Sequence, residues 1–192
     1  MRNEAALRGK LIRLAYARPD LRAKILPLLE DSTQIRVAAD AVKVIFVEAV
    51  LANRTVLTNW LAEQANAPSI VGWTIHAHHM TIKYVGNKGG AKDLEPYKDI
   101  IGDTFHVGIK GYVADEKCVA VLLDLPDKLP CENEHPHITI AVNGEKPKYS
   151  NELLKKAKLI PASGELKLHL KVGYFNGNGD VFEVPKELCT KI

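Results

Sequence analysis

Two stretches of the chain, residues 78–85 and 135–142, alternate polar and apolar positions with the two-residue period of a half-buried β-strand. Each stretch contains a His-x-Thr motif. Side chains at positions i and i+2 of an extended strand share a face, so the histidine and threonine of each motif project together. The residue between them points the other way, toward a predicted core. The motif residues are His79, Thr81, His137 and Thr139, and the intervening residues are Met80 and Ile138.

Further strands are predicted by runs rich in β-branched residues and by turn signals. The first run covers residues 42–51. Two hairpins follow, the second of them around Asn-Gly-Asn-Gly at residues 176–179, which is a strong turn signal. Their strands are expected at residues 105–113, 118–125, 165–175 and 180–184. The glycine-rich residues 86–90 lack the Gly-Lys-Ser/Thr ending of a P-loop and predict an ordinary loop that ends the first motif strand.

Two helices are predicted between these strands. The first runs from Arg54 or Thr55 to about Gln64, and the second has Ser150 or Asn151 as its N-cap. The apolar positions of these helices are Leu57, Trp60 and Leu61 in the first and Leu153, Leu154 and Ala157 in the second. The order of elements predicts an α+β domain with two lobes, mainly antiparallel sheets and flanking helices, and one His-x-Thr motif in each lobe.

The N-terminal residues 1–33 predict a basic helical hairpin that precedes the main domain, which we expect at residues 40–192. Residues 1–39 contain eight basic and four acidic residues, a net charge of +4, whereas the whole chain carries +3. Such a segment is too small to bury a core of its own. It is expected to contact its own domain, a polyanion or a protein partner, or to be only a solvated helix face.

Composition narrows the class of protein. With 192 residues, 46% hydrophobic and 26% charged, the chain is expected to fold as one domain with an appendage. It contains no apolar run of membrane-spanning length and no signal-peptide core, so a cytoplasmic protein without membrane contact is expected. Three cysteines without Cys-x-x-Cys spacing argue against a disulfide framework or a zinc knuckle.

The paired motifs point to phosphodiester hydrolysis without a metal or cofactor. A histidine pair can hold one neutral base and one protonated acid near neutral pH. Threonine hydroxyls can donate hydrogen bonds to the non-bridging oxygens of a phosphate. One imidazole would then take a proton from water while the other protonates the leaving oxygen, although the residue pattern leaves open which histidine does which. A single strand histidine would be unremarkable, but two such motifs 58 residues apart are not.

The doubled motif resembles the two-histidine (2H) phosphoesterase superfamily, which is defined by tandem H-x-T or H-x-S motifs. The second copy and residues 146–154 are similar to the cyclic phosphodiesterase domain of fungal tRNA ligases, over roughly residues 40–185. The resemblance implies the LigT-like two-lobed fold, catalysis by His79 and His137, and phosphate binding by Thr81 and Thr139. It implies a nucleotide or RNA-end substrate, either a 2',3'-cyclic phosphate that yields a 2'-phosphate or a cyclic oligonucleotide signal, as cleaved by phage anti-CBASS enzymes.

Several other residues are candidates for substrate contact. Aromatic rings can stack on a base, and a lysine or serine can bind a terminal phosphate, although core packing and helix capping are the competing interpretations. These candidates are Trp73, Tyr84, Lys148, Tyr149 and Ser150. The cluster at residues 76–79 could suggest a metal, but strand alternation would turn His76 and His78 away from His79, with His78 packed or hydrogen-bonded behind the site. We therefore expect no metal. A catalytically inactive RNA-binding module is the alternative function.

Overall fold

The structure is a computed structural model that describes residues 42–189. The predicted hairpin of residues 1–33 lies outside this range, so that part of the domain assignment stays a prediction. The strands are β1 Val44–Leu51, β2 Thr74–Ile75, β3 His79–Gly89, β4 Thr104–Ala114, β5 Cys118–Asp124, β6 His137–Val142, β7 Ile160–Pro161, β8 Lys167–Phe175 and β9 Asp180–Val181. The helices are α1 Thr55–Ala62, α2 Tyr149–Lys156 and α3 Lys186–Cys189, with a 3₁₀ helix at Ala91–Tyr97.

Six of these strands close into a barrel. Around the ring the order is β4, β5, β6, β3, β1 and β8, and β8 pairs again with β4. Every pairing in the ring is antiparallel. A register shift between Ile109 and Gly111 divides β4, which pairs with β5 along most of its length and with β8 through its first half. This long strand therefore closes the ring.

The barrel corrects the predicted arrangement of two lobes with one motif each. The fold is mainly antiparallel β with few helices, as predicted, but its strands belong to a single sheet. The strands β3 and β6, which carry the two motifs, are direct neighbours in that sheet. Strand order in space is set by pairing across the ring, and the order of elements along the chain does not reveal it.

The barrel interior and the covering helix bury the predicted apolar residues. Met80 and Ile138 are 1% and 0% exposed, which confirms that they point into the core. The inward residues of α1, Leu57, Trp60 and Leu61, are buried as predicted. The indole of Trp60 packs edge-on against the ring of Tyr112 at a centroid distance of 6.0 Å, which ties α1 to β4.

The glycine-rich segment after the first motif is not the predicted loop. Strand β3 continues to Gly89, which pairs with Val44 at the start of β1. A Cβ atom at Gly89 would lie 2.1 Å from the carbonyl oxygen of Val44, so only glycine allows the backbones to approach this closely. The glycines here permit strand pairing, whereas the sequence pattern indicated a break.

Candidate active site

The two His-x-Thr motifs meet where β3 and β6 touch. Met80 and Ile138 are register partners in this antiparallel pair. One residue to either side, the same register brings His79 opposite Thr139 and Thr81 opposite His137. Because side chains alternate along a strand, these four lie on the face opposite the two buried apolar residues. The imidazole of each motif therefore lies across from the hydroxyl of the other.

A bulge before β3 changes the expected directions of the neighbouring histidines. Ile75 pairs with Ala141 and Met80 with Ile138, so five residue steps on one strand oppose three on the other. Within the bulge Ala77 has a φ of 34° and is fully buried. The strand alternation assumed from the sequence does not hold across this bulge.

As a result, His76 and His78 line the same cavity as His79, and the prediction that His78 lies behind the site, packed or hydrogen-bonded there, is wrong as to its place. The Nε2 atom of His78 lies 3.0 Å from a carboxylate oxygen of Asp180 on β9. Its Nδ1 atom lies 3.3 Å from Nδ1 of His79.

The cavity between the motif strands has a volume of about 950 Å³, which lies in the size range of small-molecule and nucleotide sites. Both motif histidines and both motif threonines line it. Its other polar and charged lining residues are Arg54, His76, His78, Lys83, Tyr84, Glu132, Asn133, Lys148, Ser150 and Asn151. Three of these are permanent cations, and Lys83 among them is paired with Glu132 at 2.9 Å. The cavity is thus suited to an anionic ligand of nucleotide size.

A hydrogen-bond network holds His137, which is 8% exposed. The Nδ1 atom lies 2.7 Å from the carbonyl oxygen of His135, which can only accept, so Nδ1 carries a hydrogen. Its Nε2 atom lies 2.8 Å from Oγ of Ser150. The hydroxyl of Thr139 donates to the same Oγ at 2.9 Å. Ser150 therefore joins the histidine and the threonine of the second motif.

Ser150 was predicted either as a phosphate contact or as a helix N-cap. Helix α2 begins at Tyr149, and its N-cap is Lys148, which makes no side-chain capping bond. The predicted capping by Ser150 or Asn151 is therefore wrong. Instead, Ser150 is 1% exposed, its Oγ lies 2.8 Å from the carbonyl oxygen of Pro147, and it lines the cavity.

His79 lies in different surroundings. Its ring stacks on Phe46 with centroids 5.0 Å apart, and its side chain is 29% exposed. Its Nδ1 atom is 3.5 Å from a carboxyl oxygen of Glu48 on β1. Glu48 is fully buried beneath the ring, and neither of its carboxyl oxygens has a well-formed hydrogen bond to any residue in the range 42–189. These contacts of His79 use Nδ1, so Nε2 is left to face the cavity.

Comparison with protein families identifies the domain. Residues 64–171, more than half of the chain, match the model of the fungal tRNA ligase phosphodiesterase domain. The chain belongs to this family. The matched range contains both His-x-Thr motifs, and the family is one of the 2H phosphoesterases. No curated protein matches the chain. In this phosphodiesterase-domain protein, Glu48, Arg54 and Asp180 lie outside the matched range.

Burial lowers the pKa of both motif histidines of the phosphodiesterase domain. It lowers the pKa of His137, and the nearby His135 ring lowers it further, while the hydrogen bond to the His135 carbonyl works against this shift. Burial lowers the pKa of His79 to about 4, with a further contribution from His78, whereas Asp180 opposes it. Both isolated imidazoles are therefore neutral at pH 7.

The pKa of Glu48 is shifted in the opposite direction to that of the two histidines. Burial raises its pKa to about 9, and the neighbouring Asp180 adds to the effect. The carboxyl group is therefore protonated at neutral pH. Together with His78 and His79, Glu48 offers one ligand atom each within 4.8 Å, which is the spacing of a metal site. A cation bound there would have to displace the proton of Glu48.

The other predicted contact residues divide between the cavity and the surrounding packing. Tyr84, Lys148 and Ser150 line the cavity, and Tyr84 is 72% exposed at its edge. Trp73 and Tyr149 are not among its lining residues. Trp73 packs against the core, and the hydroxyl of Tyr149 donates to Asp115 at 2.7 Å.

Sequence reasoning missed Phe46, Glu48, Arg54 and Asp180. For Glu48 a signal exists, because an acidic residue within the apolar run of residues 44–51 has to be buried or neutralised. No comparable signal marks Arg54 or Asp180, since both lie at the ends of elements where charged residues are common.

No helix within residues 42–189 is both long enough and apolar enough to cross a bilayer.

Proposed function

We propose that this protein is a metal-independent phosphodiesterase that opens the 2',3'-cyclic phosphate at an RNA end and leaves a 2'-phosphate. The observation that carries the proposal is the pairing of β3 with β6, which brings two imidazoles and two hydroxyls to one cavity. Membership in the tRNA ligase phosphodiesterase family supports the RNA-end substrate. The comparisons give no support to a cyclic oligonucleotide signal of the anti-CBASS type.

The surroundings of His137 favour it as the general base. Donation of Nδ1–H to the His135 carbonyl leaves a lone pair on Nε2 of the neutral imidazole. A water molecule beside Nε2 would give up its proton to this nitrogen while its oxygen attacks phosphorus. The lowered pKa keeps this imidazole neutral and therefore able to accept the proton.

His79 then acts as the general acid on the opposite side of the phosphate. As the bond between phosphorus and the 3'-oxygen breaks, Nε2–H of His79 donates its proton to that oxygen, and a free 3'-hydroxyl results. The hydroxyls of Thr81 and Thr139 donate to the non-bridging oxygens and stabilise their growing charge. The cations at the cavity, including Arg54 and Lys148, attract the polyanionic RNA end.

The test is hydrolysis of a 2',3'-cyclic mononucleotide and of an RNA oligomer with a cyclic phosphate end, both in EDTA. We expect a 2'-phosphate product, with kcat reduced at least about 100-fold in His79→Ala and in His137→Ala while substrate binding is largely kept. His106→Ala serves as the matched control, because that exposed histidine lies on β4 outside the cavity lining.

Three outcomes would oppose the proposal. Activity that disappears in EDTA and returns with a divalent cation would assign the chemistry to a metal. Turnover of cyclic di- or trinucleotides in place of the RNA end would change the substrate class. Absence of hydrolysis on every substrate, with RNA affinity that falls steeply as salt rises, would indicate a binding module without catalysis.

A further inference from the structure

We propose that Glu48 is a positioning residue that shares one proton with Nδ1 of His79 and so keeps Nε2 of His79 protonated toward the cavity. This inference rests on the proposed function, in which His79 donates a proton to the leaving oxygen. Glu48 lies outside the residues that match the family, so the family comparison does not assign it.

The geometry suits a shared proton. Glu48 and Thr81 are register partners on β1 and β3, so the carboxyl group lies directly under the first motif. Its oxygen is 3.5 Å from Nδ1 of His79, and the side chain has no contact with solvent. The stacking of His79 on Phe46 holds the ring over the carboxyl group. No well-formed bond satisfies the carboxyl group, and its two neighbours are Nδ1 of His79 and the Asp180 side chain, which already accepts from His78 and whose hydrogen bond to Glu48 contributes to the raised pKa.

The number of titratable protons held by Glu48 and His79 also supports a shared proton. Between about pH 4 and about pH 9 the pair holds one proton, since the pKa of His79 is lowered and that of Glu48 is raised. If this proton lies on Glu48, it is donated to Nδ1, and the neutral imidazole carries its hydrogen on Nε2. If it lies on Nδ1, the imidazolium again carries a hydrogen on Nε2. In both cases Nε2 is a donor toward the cavity.

Other charged and titratable groups face this pair. Asp180 on β9 lies close to Glu48 and accepts from Nε2 of His78 at 3.0 Å, which leaves Nδ1 of His78 as an acceptor toward His79. Two Nδ1 lone pairs 3.3 Å apart repel each other, and transfer of the Glu48 proton onto Nδ1 of His79 removes this repulsion. Arg54 and His76 lower the pKa of His79, so without Glu48 the protonated imidazolium would be scarcely populated at neutral pH.

Gly173 on β8 makes this assembly possible. It is the register partner of Glu48 on the other side of β1. A Cβ atom there would lie 2.5 Å from the carbonyl oxygen of Val181, so any side chain would push β9 away. Because Gly173 has no side chain, β9 lies close enough for Asp180 to reach both Glu48 and His78.

The proton balance of the step is complete. When the bond from phosphorus to the 3'-oxygen breaks, that oxygen takes the proton from Nε2 of His79. The shared proton then moves fully onto Nδ1, so His79 stays neutral and Glu48 becomes a carboxylate. The proton that His137 took from water returns to Glu48 through solvent before the next turnover. One water is consumed and no further reactant is required.

The first test is the pH profile of kcat/KM on a 2',3'-cyclic mononucleotide. In the unmodified protein we expect activity to persist until pH rises through about 9, where the pair loses its proton. Glu48→Gln keeps the shape of the side chain without the titrating proton. We expect about a 100-fold loss of kcat/KM at pH 8 and an alkaline limb at least about two pH units lower.

Two further variants serve as controls. Glu48→Asp retains a carboxyl group, so it should restore the alkaline limb even if the rate is lower. Glu63→Gln changes an exposed glutamate after α1 and should behave as the unmodified protein. An alkaline limb that is the same in Glu48→Gln as in the unmodified protein would overturn the inference.

A second measurement separates this inference from the proposed function. The tautomer of His79 can be read from long-range ¹H–¹⁵N NMR spectra, independently of any substrate. We expect a hydrogen on Nε2 from pH 5 to pH 8.5 in the unmodified protein and a mixture with the Nδ1–H tautomer in Glu48→Leu, which has no donor for Nδ1. An inactive protein with this NMR result would refute the function but keep the role of Glu48. An unchanged tautomer in Glu48→Leu would refute that role, whether or not the protein is active.

Discussion

Met80 on β3 lies directly opposite Ile138 on β6, and both side chains are buried in the barrel. This pair is an approximate two-fold centre for the two motifs. It sets the imidazole of His79 across from Thr139 and that of His137 across from Thr81. A phosphate between the strands would therefore meet one histidine and one threonine from each side.

The threonine hydroxyls are expected to stabilise the transition state more than the ground state. Thr81→Val and Thr139→Val keep the shape of the side chain and remove the donor to a non-bridging oxygen. We expect kcat to fall about 100-fold in each variant, with a smaller change in KM. Steady-state kinetics on a cyclic mononucleotide measure both, and Thr104→Val, at an exposed position on β4, is the control. Unchanged kcat in both variants would remove the threonines from the chemistry.

Ser150 is expected to tune the base. Its hydroxyl donates to the carbonyl oxygen of Pro147, so Oγ can accept from Nε2–H when His137 is protonated, and this bond favours the charged form of His137. Ser150→Ala removes this acceptor, so it should lower the pKa of His137 and shift the acidic limb of kcat/KM downward by about 0.5 to 1 pH unit.

Ser163→Ala is the matched control for this shift, because that hydroxyl bonds to Gln64 at 2.7 Å, away from the cavity. An upward shift of the acidic limb in Ser150→Ala would mean that Ser150 donates to the neutral imidazole instead.

A change in the buried pair of Met80 and Ile138 should lower both the stability and the activity of the protein. Ile138→Ala removes a fully buried side chain and is expected to lower the free energy of unfolding by about 2 to 5 kcal/mol. Because Ile138 spaces the two motif residues on β6, kcat should fall as well in the fraction that remains folded. Urea unfolding and kinetics test both effects. Val71→Ala, at a position 89% exposed, should change neither measurably.

Glu48 should make the fold sensitive to alkaline pH. Its folded pKa of about 9 lies above the unfolded value of 4.5, so its contribution to stability is fully present below 4.5 and is lost as pH rises toward 9. Between pH 4.5 and pH 6.5 the lowered pKa of His79 changes the free energy of unfolding in the opposite direction, since the histidine binds the proton only in the unfolded chain there. The two effects cancel in that range, and only the loss due to Glu48 remains above pH 6.5.

Above pH 6.5 the free energy of unfolding should therefore fall by roughly 1.4 kcal/mol for each pH unit through this pair. Urea unfolding of the unmodified protein and of Glu48→Gln at pH 5.5, 7.5 and 8.5 isolates the contribution, because other groups titrate equally in both. The variant should become the more stable protein as pH rises. Parallel stability curves would show that Glu48 is already ionised in the folded state.

Local patterns were enough to find several elements. The β-branched run of β1, the apolar face of α1 and the alternation in β6 each reflect a period that the neighbouring residues alone express. The pattern misled at residues 86–90, because the reason for those glycines is the approach of β1, which is distant in sequence. It misled again at His78, because strand alternation stops at the bulge around Ala77.

The sequence by itself determined the four motif residues, the same-face spacing within each motif and the family chemistry that they imply. Only the tertiary structure decided that the motif strands are neighbours in a closed barrel, that Ser150 joins His137 to Thr139, and that Glu48 lies under His79. The physical reason is the range of the interactions. Side-chain alternation is a property of a single strand, whereas pairing, burial and the pKa shifts that follow from burial depend on segments far apart along the chain.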